Sequence, residues 1–166
     1  MSISINNSLS LRIYYGKYAS FAKGSARKDA PTGTLSMADA SALRNAIKKL
    51  QDYKFTDGSD DQNQEKLKAF TDAVNNTLSS ATKYGKNDTS VRNAANKIKN
   101  LNTEYASKLR QIGITVQKDG SMSLYESAST TYKSERFSEF FDKNSKYLED
   151  LYDSAKRITR RVDVRI

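Results

Sequence analysis

Along most of this chain apolar residues recur three or four positions apart, the spacing of a helix face that packs on a core. Met37, Ala40, Leu43, Ile47 and Leu50 form one such stripe, and Leu67, Phe70, Val74, Leu78 and Ala81 form a second. Ser36 and Asp39 have capping-box spacing, so the first helix is predicted from Ser36 to about Tyr53. Residues 56–61 read as a polar turn, and the second helix runs from about Gln62 to Tyr84, with Gly85 ending it. A third runs from a cap at Asp88 or Thr89 to Ile112. Its Val91, Ala94, Ile98, Leu101, Tyr105 and Ile112 keep the seam spacing of a coiled-coil-like pair. The short 85–88 link makes helices two and three antiparallel neighbours.

The pattern then changes period. In 112–124 Gly113 ends a helix, Ile114 and Val116 share one strand face with Met122 and Leu124 opposing them, and Asp119-Gly120 is a strong hairpin signal. Ser123 and Glu126 have the spacing of a capping box, which opens a helix over roughly 124–142. That helix is rich in Ser and Thr and is anchored by Phe137, Phe140 and Phe141. A last helix starts near Ser145, with Leu148, Leu151, Ala155, Ile158 and Val162 as its stripe. At the other end two readings stay open. Ile3, Ile5, Leu9, Leu11 and Ile13 alternate as a strand with a turn at Asn6-Asn7, whereas Leu11, Tyr14, Tyr15, Tyr18 and Ala22 share a helix face. Residues 24–34 read as loop.

The expected fold is therefore mainly α: an elongated antiparallel helical bundle or coiled-coil-like hairpin with one small β-hairpin near 114–124. It divides into an N-terminal arm over 1–34, strand or irregular, basic and aromatic, and a helical domain over 35–166. Thr32-Gly-Thr-Leu-Ser-Met37 faintly repeats Asp119-Gly-Ser-Met-Ser-Leu124.

Charge adds a second layer. The net charge of +9 sits at the ends of the chain: +5 over 12–28, +4 over 156–165, and 18 basic against 18 acidic residues between them. Basic ends point to an acidic partner surface, a nucleic acid or an anionic lipid. Arg12, Tyr14, Tyr15, Lys17, Tyr18, Phe21 and Lys23 interleave cations with aromatics, a mixture that suits base stacking with phosphate contact, a membrane interface, or packing against protein. Lys156, Arg157, Arg160 and Arg161 form the second cluster of partner-binding candidates.

Catalytic chemistry finds little support. The chain has no Cys and no His, which removes thiolate and imidazole chemistry and the usual zinc ligands. Asp57, Asp60 and Asp61 lack the Gly and Glu positions of a calcium loop, with Gln62 sixth and Lys68 twelfth. No catalytic, cofactor or metal site is expected, nor a small-molecule substrate. The first residues do not form a cleaved secretory signal, and no apolar run is long enough to span a membrane.

The stretch 67–124 resembles the flagellar hook-associated filament-capping family. It has a helix reading Ala69-Phe-Thr-Asp-Ala-Val-Asn-Asn76, a polar link into Asn87-Asp-Thr-Ser-Val-Arg92, a helix end Leu109-Arg-Gln-Ile-Gly-Ile114, and the turn and strand Asp119-Gly-Ser-Met-Ser-Leu124. All four pieces keep the family's order and spacing over about a third of the chain. Tyr125 stands where the family usually carries an acidic residue, and family members are much longer. The resemblance implies a helical stalk-like domain with a small hairpin, exported through the flagellar system or held in the cytoplasm, that binds flagellin or hook-junction subunits, with self-association as a further option. The expectation is a non-enzymatic structural protein. The alternatives are a nucleic-acid-binding protein that uses the basic ends, or a small secreted helical effector.

Overall fold

The computed structural model describes residues 8–161, so the readings made on 1–7 and on 162–166, Val162 and Arg165 among them, lie outside the described residues. Within them the chain is mostly helical, with one small antiparallel sheet.

Four long helices carry the core: α3 (Thr32–Asp52), α4 (Asp60–Tyr84), α5 (Thr89–Glu104) and α9 (Lys146–Arg161). α3 packs against α4 and α9, and α5 packs against α4 and α9, so the four meet in a ring. Neighbours run antiparallel. Arg44 of α3 reaches Tyr152 and Thr159 of α9, while Gln51 reaches Asp142 just before α9 begins. The stripes read from the sequence face inward: Leu43, Ile47, Leu67, Phe70, Val74, Ile98, Leu148, Leu151 and Ile158 are all buried. Burying one such side chain contributes roughly 1.5–3 kcal/mol.

Helix boundaries follow local chemistry. α4 starts with a true capping box, in which Ser59 Oγ accepts from Gln62 N–H and the Gln62 side chain accepts from Ser59 N–H. Asp60 and Asp61 fill its first turn, where negative charge complements the helix dipole. The capping box expected at Ser36 and Asp39 is absent. α3 begins earlier, behind Pro31, and Asp39 sits buried two turns inside it. The division drawn at 34/35 thus falls within a continuous helix, because Pro31 presets the backbone for helix entry. The third predicted helix is broken. Tyr105 leaves helical geometry (φ −97°, ψ 15°), and the short α6 (Ala106–Arg110) follows.

The hairpin forms as expected, from β1 (Ile114–Val116) and β2 (Met122–Leu124), with Ile114 opposite Leu124 and Val116 opposite Met122. Gly113 (φ +84°) and Gly120 (φ +86°) take left-handed backbone angles, which makes them the two residues the turns require. At the tip Gly120 N–H donates to Gln117 O, and Asp119 Oδ1 accepts from both the N–H and the hydroxyl of Ser121. These bonds from Ser121 hold the Asp119 carboxyl below its ordinary range. Asn75 of α4 binds both backbone groups of Met122, each at 2.8 Å, and Asn102 Nδ2 donates to Gly120 O at 2.8 Å.

After β2 the chain does not enter a helix. Ser123 lies in the strand and Glu126 is exposed, so their capping box is not made. The reason is pairing: Ser123 is committed to the ladder opposite Thr115. Two short helices replace the predicted long one, α7 (Ala128–Thr131) and α8 (Ser134–Phe140). The break between them suits a Ser/Thr-rich stretch whose side chains compete for backbone bonds. The anchors hold nonetheless. Phe137 and Phe141 are buried against Phe55, and Phe141 meets Phe70 edge-on at 5.2 Å.

Candidate interaction surfaces

The N-terminal basic and aromatic stretch folds onto the helices rather than standing free. α1 (Leu9–Tyr15) resolves the ambiguity of that region toward helix, and a 3₁₀ segment (Gly16–Phe21) and the short α2 (Ala26–Asp29) follow it. Leu11, Tyr14, Tyr15 and Ala22 are buried in the same core as Leu43 and Leu67. Three groups fix α1. Ser8 Oγ accepts from Leu11 N–H, Glu65 of α4 accepts from Ser8 Oγ, Ser10 N–H and Ser10 Oγ, and Asn45 of α3 donates to Tyr14 O.

Beneath this layer lies a polar network that joins five elements: α1, the 3₁₀ segment, α2, α3 and α4. Arg27 grips Asp39 with two parallel bonds, 2.7 and 2.9 Å, and also donates to Phe21 O at 2.7 Å. Tyr15 donates to the same Asp39 at 2.5 Å, and Asn76 of α4 donates to Tyr15 Oη at 2.9 Å. Burial and then the Asp39 charge push the Tyr15 phenol well above its ordinary range. Burial pulls Arg27 the other way, but its bonds to Asp39 outweigh that and raise it further. Tyr14 is raised by burial as well, then by Glu65, and its hydroxyl has no hydrogen-bond partner among the described residues.

Of the seven N-terminal candidates, Tyr14 and Tyr15 are therefore core residues and unavailable to a partner. Their helix face turns inward together with Leu11 and packs on α3 and α4. Tyr18, Phe21 and Lys23 are half-buried, while Arg12 and Lys17 are exposed, with the Lys17 ammonium 5.3 Å from the Tyr18 ring. The exposed apolar side chains Leu9 and Ile13 lie on the same short helix.

The C-terminal cluster behaves differently. α9 buries Tyr147, Leu148, Leu151, Ala155 and Ile158 and turns Arg157, Arg160 and Arg161 outward, with Lys156 half-buried. Together with Asp153 of α9 and Ser90 from the first turn of α5, these four cations line an open groove of about 570 Å³. Among the described residues none of the four forms an ion pair. The groove continues along the α5–α9 seam past Asn93, Lys97 and Asp150. On the other flank of α9, Tyr152 accepts from Arg44 and lies under the Arg44 and Lys48 cations. The hydrogen bond from Arg44, followed by these charges, lowers its phenol below the ordinary range. Sequence reasoning missed Ser90, because nothing local marks a serine on another helix as a neighbour of α9. It missed Asp153 as well, although a carboxylate four residues before Arg157 on the same helix was a local signal that could have marked it.

Gly113, Asp119 and Gly120 are structural, as the hairpin geometry requires, and Ser123 and Glu126 take no capping role. Among the described residues no helix is long and apolar enough to cross a membrane. No protein-family model, curated protein or solved structure matches this chain.

Proposed function

We propose that this chain is a non-enzymatic interaction protein of flagellar or related surface assembly, and that it engages protein partners chiefly through the basic end of α9. The observation that carries this reading is the groove in which Lys156, Arg157, Arg160 and Arg161 stand without ion-pair partners among the described residues. Unpaired cations grouped on one surface raise the local concentration of an acidic partner and speed its encounter. The setting comes from the likeness of residues 67–124 to the filament-capping family. Those residues take in α4 from Leu67 onward, all of α5, and the hairpin. We read the four antiparallel helices as an elongated bundle with a coiled-coil-like seam between α4 and α5, a stalk that presents the groove at one end. Export by the flagellar route belongs to the same reading.

Size-exclusion chromatography with light scattering tests it, with the protein run alone and then with flagellar axial proteins of the same organism. Co-elution at a defined stoichiometry is the expected result. A monomer indifferent to all of them would overturn the flagellar setting. The nucleic-acid alternative draws on the same cations, but burial of Tyr14 and Tyr15 removes two of the stacking surfaces it called on.

A further inference from the structure

We infer that the α5–α9 groove receives an acidic helical segment of a partner protein, and not a nucleic acid or a second copy of this chain. The inference rests on the protein-interaction reading above, but not on its flagellar setting.

Three features of the groove choose the occupant. The first is charge. Four cations and one carboxylate face the groove, while the N-terminus of α5 beside Ser90 is already capped by the Asp88 carboxylate, which accepts from Val91 N–H. An acidic ligand is attracted, whereas a second copy of a chain with net charge +9 is repelled before it arrives.

The second feature is spacing. Lys156 and Arg160, and likewise Arg157 and Arg161, are four residues apart on α9, so each pair repeats at about 6 Å along the helix axis. Acidic residues four apart on a partner helix repeat at the same interval. Two helices laid side by side can thus bring successive carboxylates against successive guanidinium groups, the geometry in which Arg makes two parallel bonds.

The third feature is how the groove changes along its length. At the α9 C-terminal end the lining is cationic, but toward the middle of the seam Asp153 and Asp150 enter it, opposite Lys97. Asp150 is already held by Lys146 at 3.0 Å, whereas Asp153 forms no ion pair among the described residues. A phosphodiester strand carries the same negative charge at every step and meets repulsion there. A protein helix can follow its acidic residues with a basic one and satisfy Asp153. The six residues that line the basic end also include no aromatic side chain, so bases would find no platform to stack on.

The test is fluorescence anisotropy with three labelled probes at low and at physiological salt. The first is a helical peptide of about 20 residues, long enough to hold helix in water, with Glu at i and i+4 and one Lys a turn beyond. The second is the same peptide with Gln for every Glu. The third is a single-stranded oligonucleotide of equal charge. The full chain is compared with R157E/R160E, with the milder R157Q/R160Q, and with R110E/K118E, which alters exposed cations away from the groove. Circular dichroism establishes that each variant is folded. The acidic peptide is expected to bind the native chain and R110E/K118E equally, to bind R157Q/R160Q at least tenfold more weakly, and to be lost with R157E/R160E. The Gln peptide is expected not to bind. The inference is overturned if the oligonucleotide binds more tightly than the acidic peptide, if the groove variants bind as the native chain does, or if the acidic peptide does not bind at all. Peptide binding at the groove without co-elution of flagellar proteins would remove the flagellar setting and leave the groove assignment standing.

Discussion

Residues 12–28 and residues 156–161 are both basic, yet the first stretch buries an aromatic face and one cation, whereas the second leaves its arginines on the surface. In the N-terminal stretch, aromatic residues share a helix face with Leu11, and burying that face draws the whole segment onto α3 and α4. One of its cations, Arg27, goes in with it and is neutralised by Asp39. In α9 the apolar stripe is aliphatic apart from Tyr147 and lies on one side only, so packing of Leu151, Ala155 and Ile158 leaves the cations on the outside. Positive charge in a sequence is therefore a poor guide to a binding surface until the apolar residues around it are assigned to a face.

That contrast predicts a graded series of effects. The largest is expected at Ile158, which is fully buried under the basic end of α9. Ile158→Asp places an unpaired charge in the core and should cost several kcal/mol, measured as a collapse of the urea midpoint. Unchanged stability would mean that α9 is not anchored there. Next comes Arg27→Met, which leaves the Asp39 carboxylate buried and half-satisfied. About 3 kcal/mol is expected, against well under 1 kcal/mol for Arg160→Met on the open surface. Equal losses at the two arginines would erase the distinction between the two stretches.

A smaller effect separates two adjacent tyrosines. Tyr15→Phe removes a hydroxyl that bonds both Asp39 and Asn76 and should cost about 1–3 kcal/mol. Tyr14→Phe removes a hydroxyl without a partner among the described residues and should be neutral or slightly stabilising by the same denaturation assay. The mildest expectation concerns pH. Burial raises the phenols of Tyr14, Tyr15 and Tyr147 above their unfolded value of 10.0. Above pH 10 the unfolded chain therefore releases protons that the folded chain keeps, so stability should be intact below about pH 10 and fall as pH rises beyond it. Tyr14→Phe should shift that alkaline transition upward. Tyr152, lowered by Arg44, should ionise first in an absorbance titration of the folded protein.

How far the sequence could be read depended on whether the deciding contacts were local. Stripes such as Leu67–Phe70–Val74 and Leu148–Leu151–Ala155–Ile158 need only helix period, and they fell on the core side. The hairpin needed only Gly113, Asp119-Gly120 and alternation. Capping boxes were less readable, because the same four-residue spacing arises without the bond. Ser36 and Asp39 fit the pattern, but a distant Arg27 and Tyr15 claim the carboxylate. Ser59 and Gln62 make the real box inside what reads as a polar turn. The likeness between 32–37 and 119–124 likewise dissolves, one copy being a helix start and the other a hairpin. Of the candidate contact residues, the α9 cations reach the surface, whereas the choice between strand and helix before Tyr15 rested on burial by α3 and α4, which no nearby residue announces.

The hold of Asn75 on Met122 has a meaning of its own. A carboxamide is the same functional group as a peptide bond, with one acceptor and a donor N–H side by side. By meeting both backbone groups of Met122, Asn75 imitates a single rung of a third strand. A two-stranded ribbon otherwise leaves each outer edge ready to recruit a strand from another molecule. Here a helix occupies the first rung of the β2 edge with one side chain, and a foreign strand that paired there would first have to displace an amide that α4 holds in place.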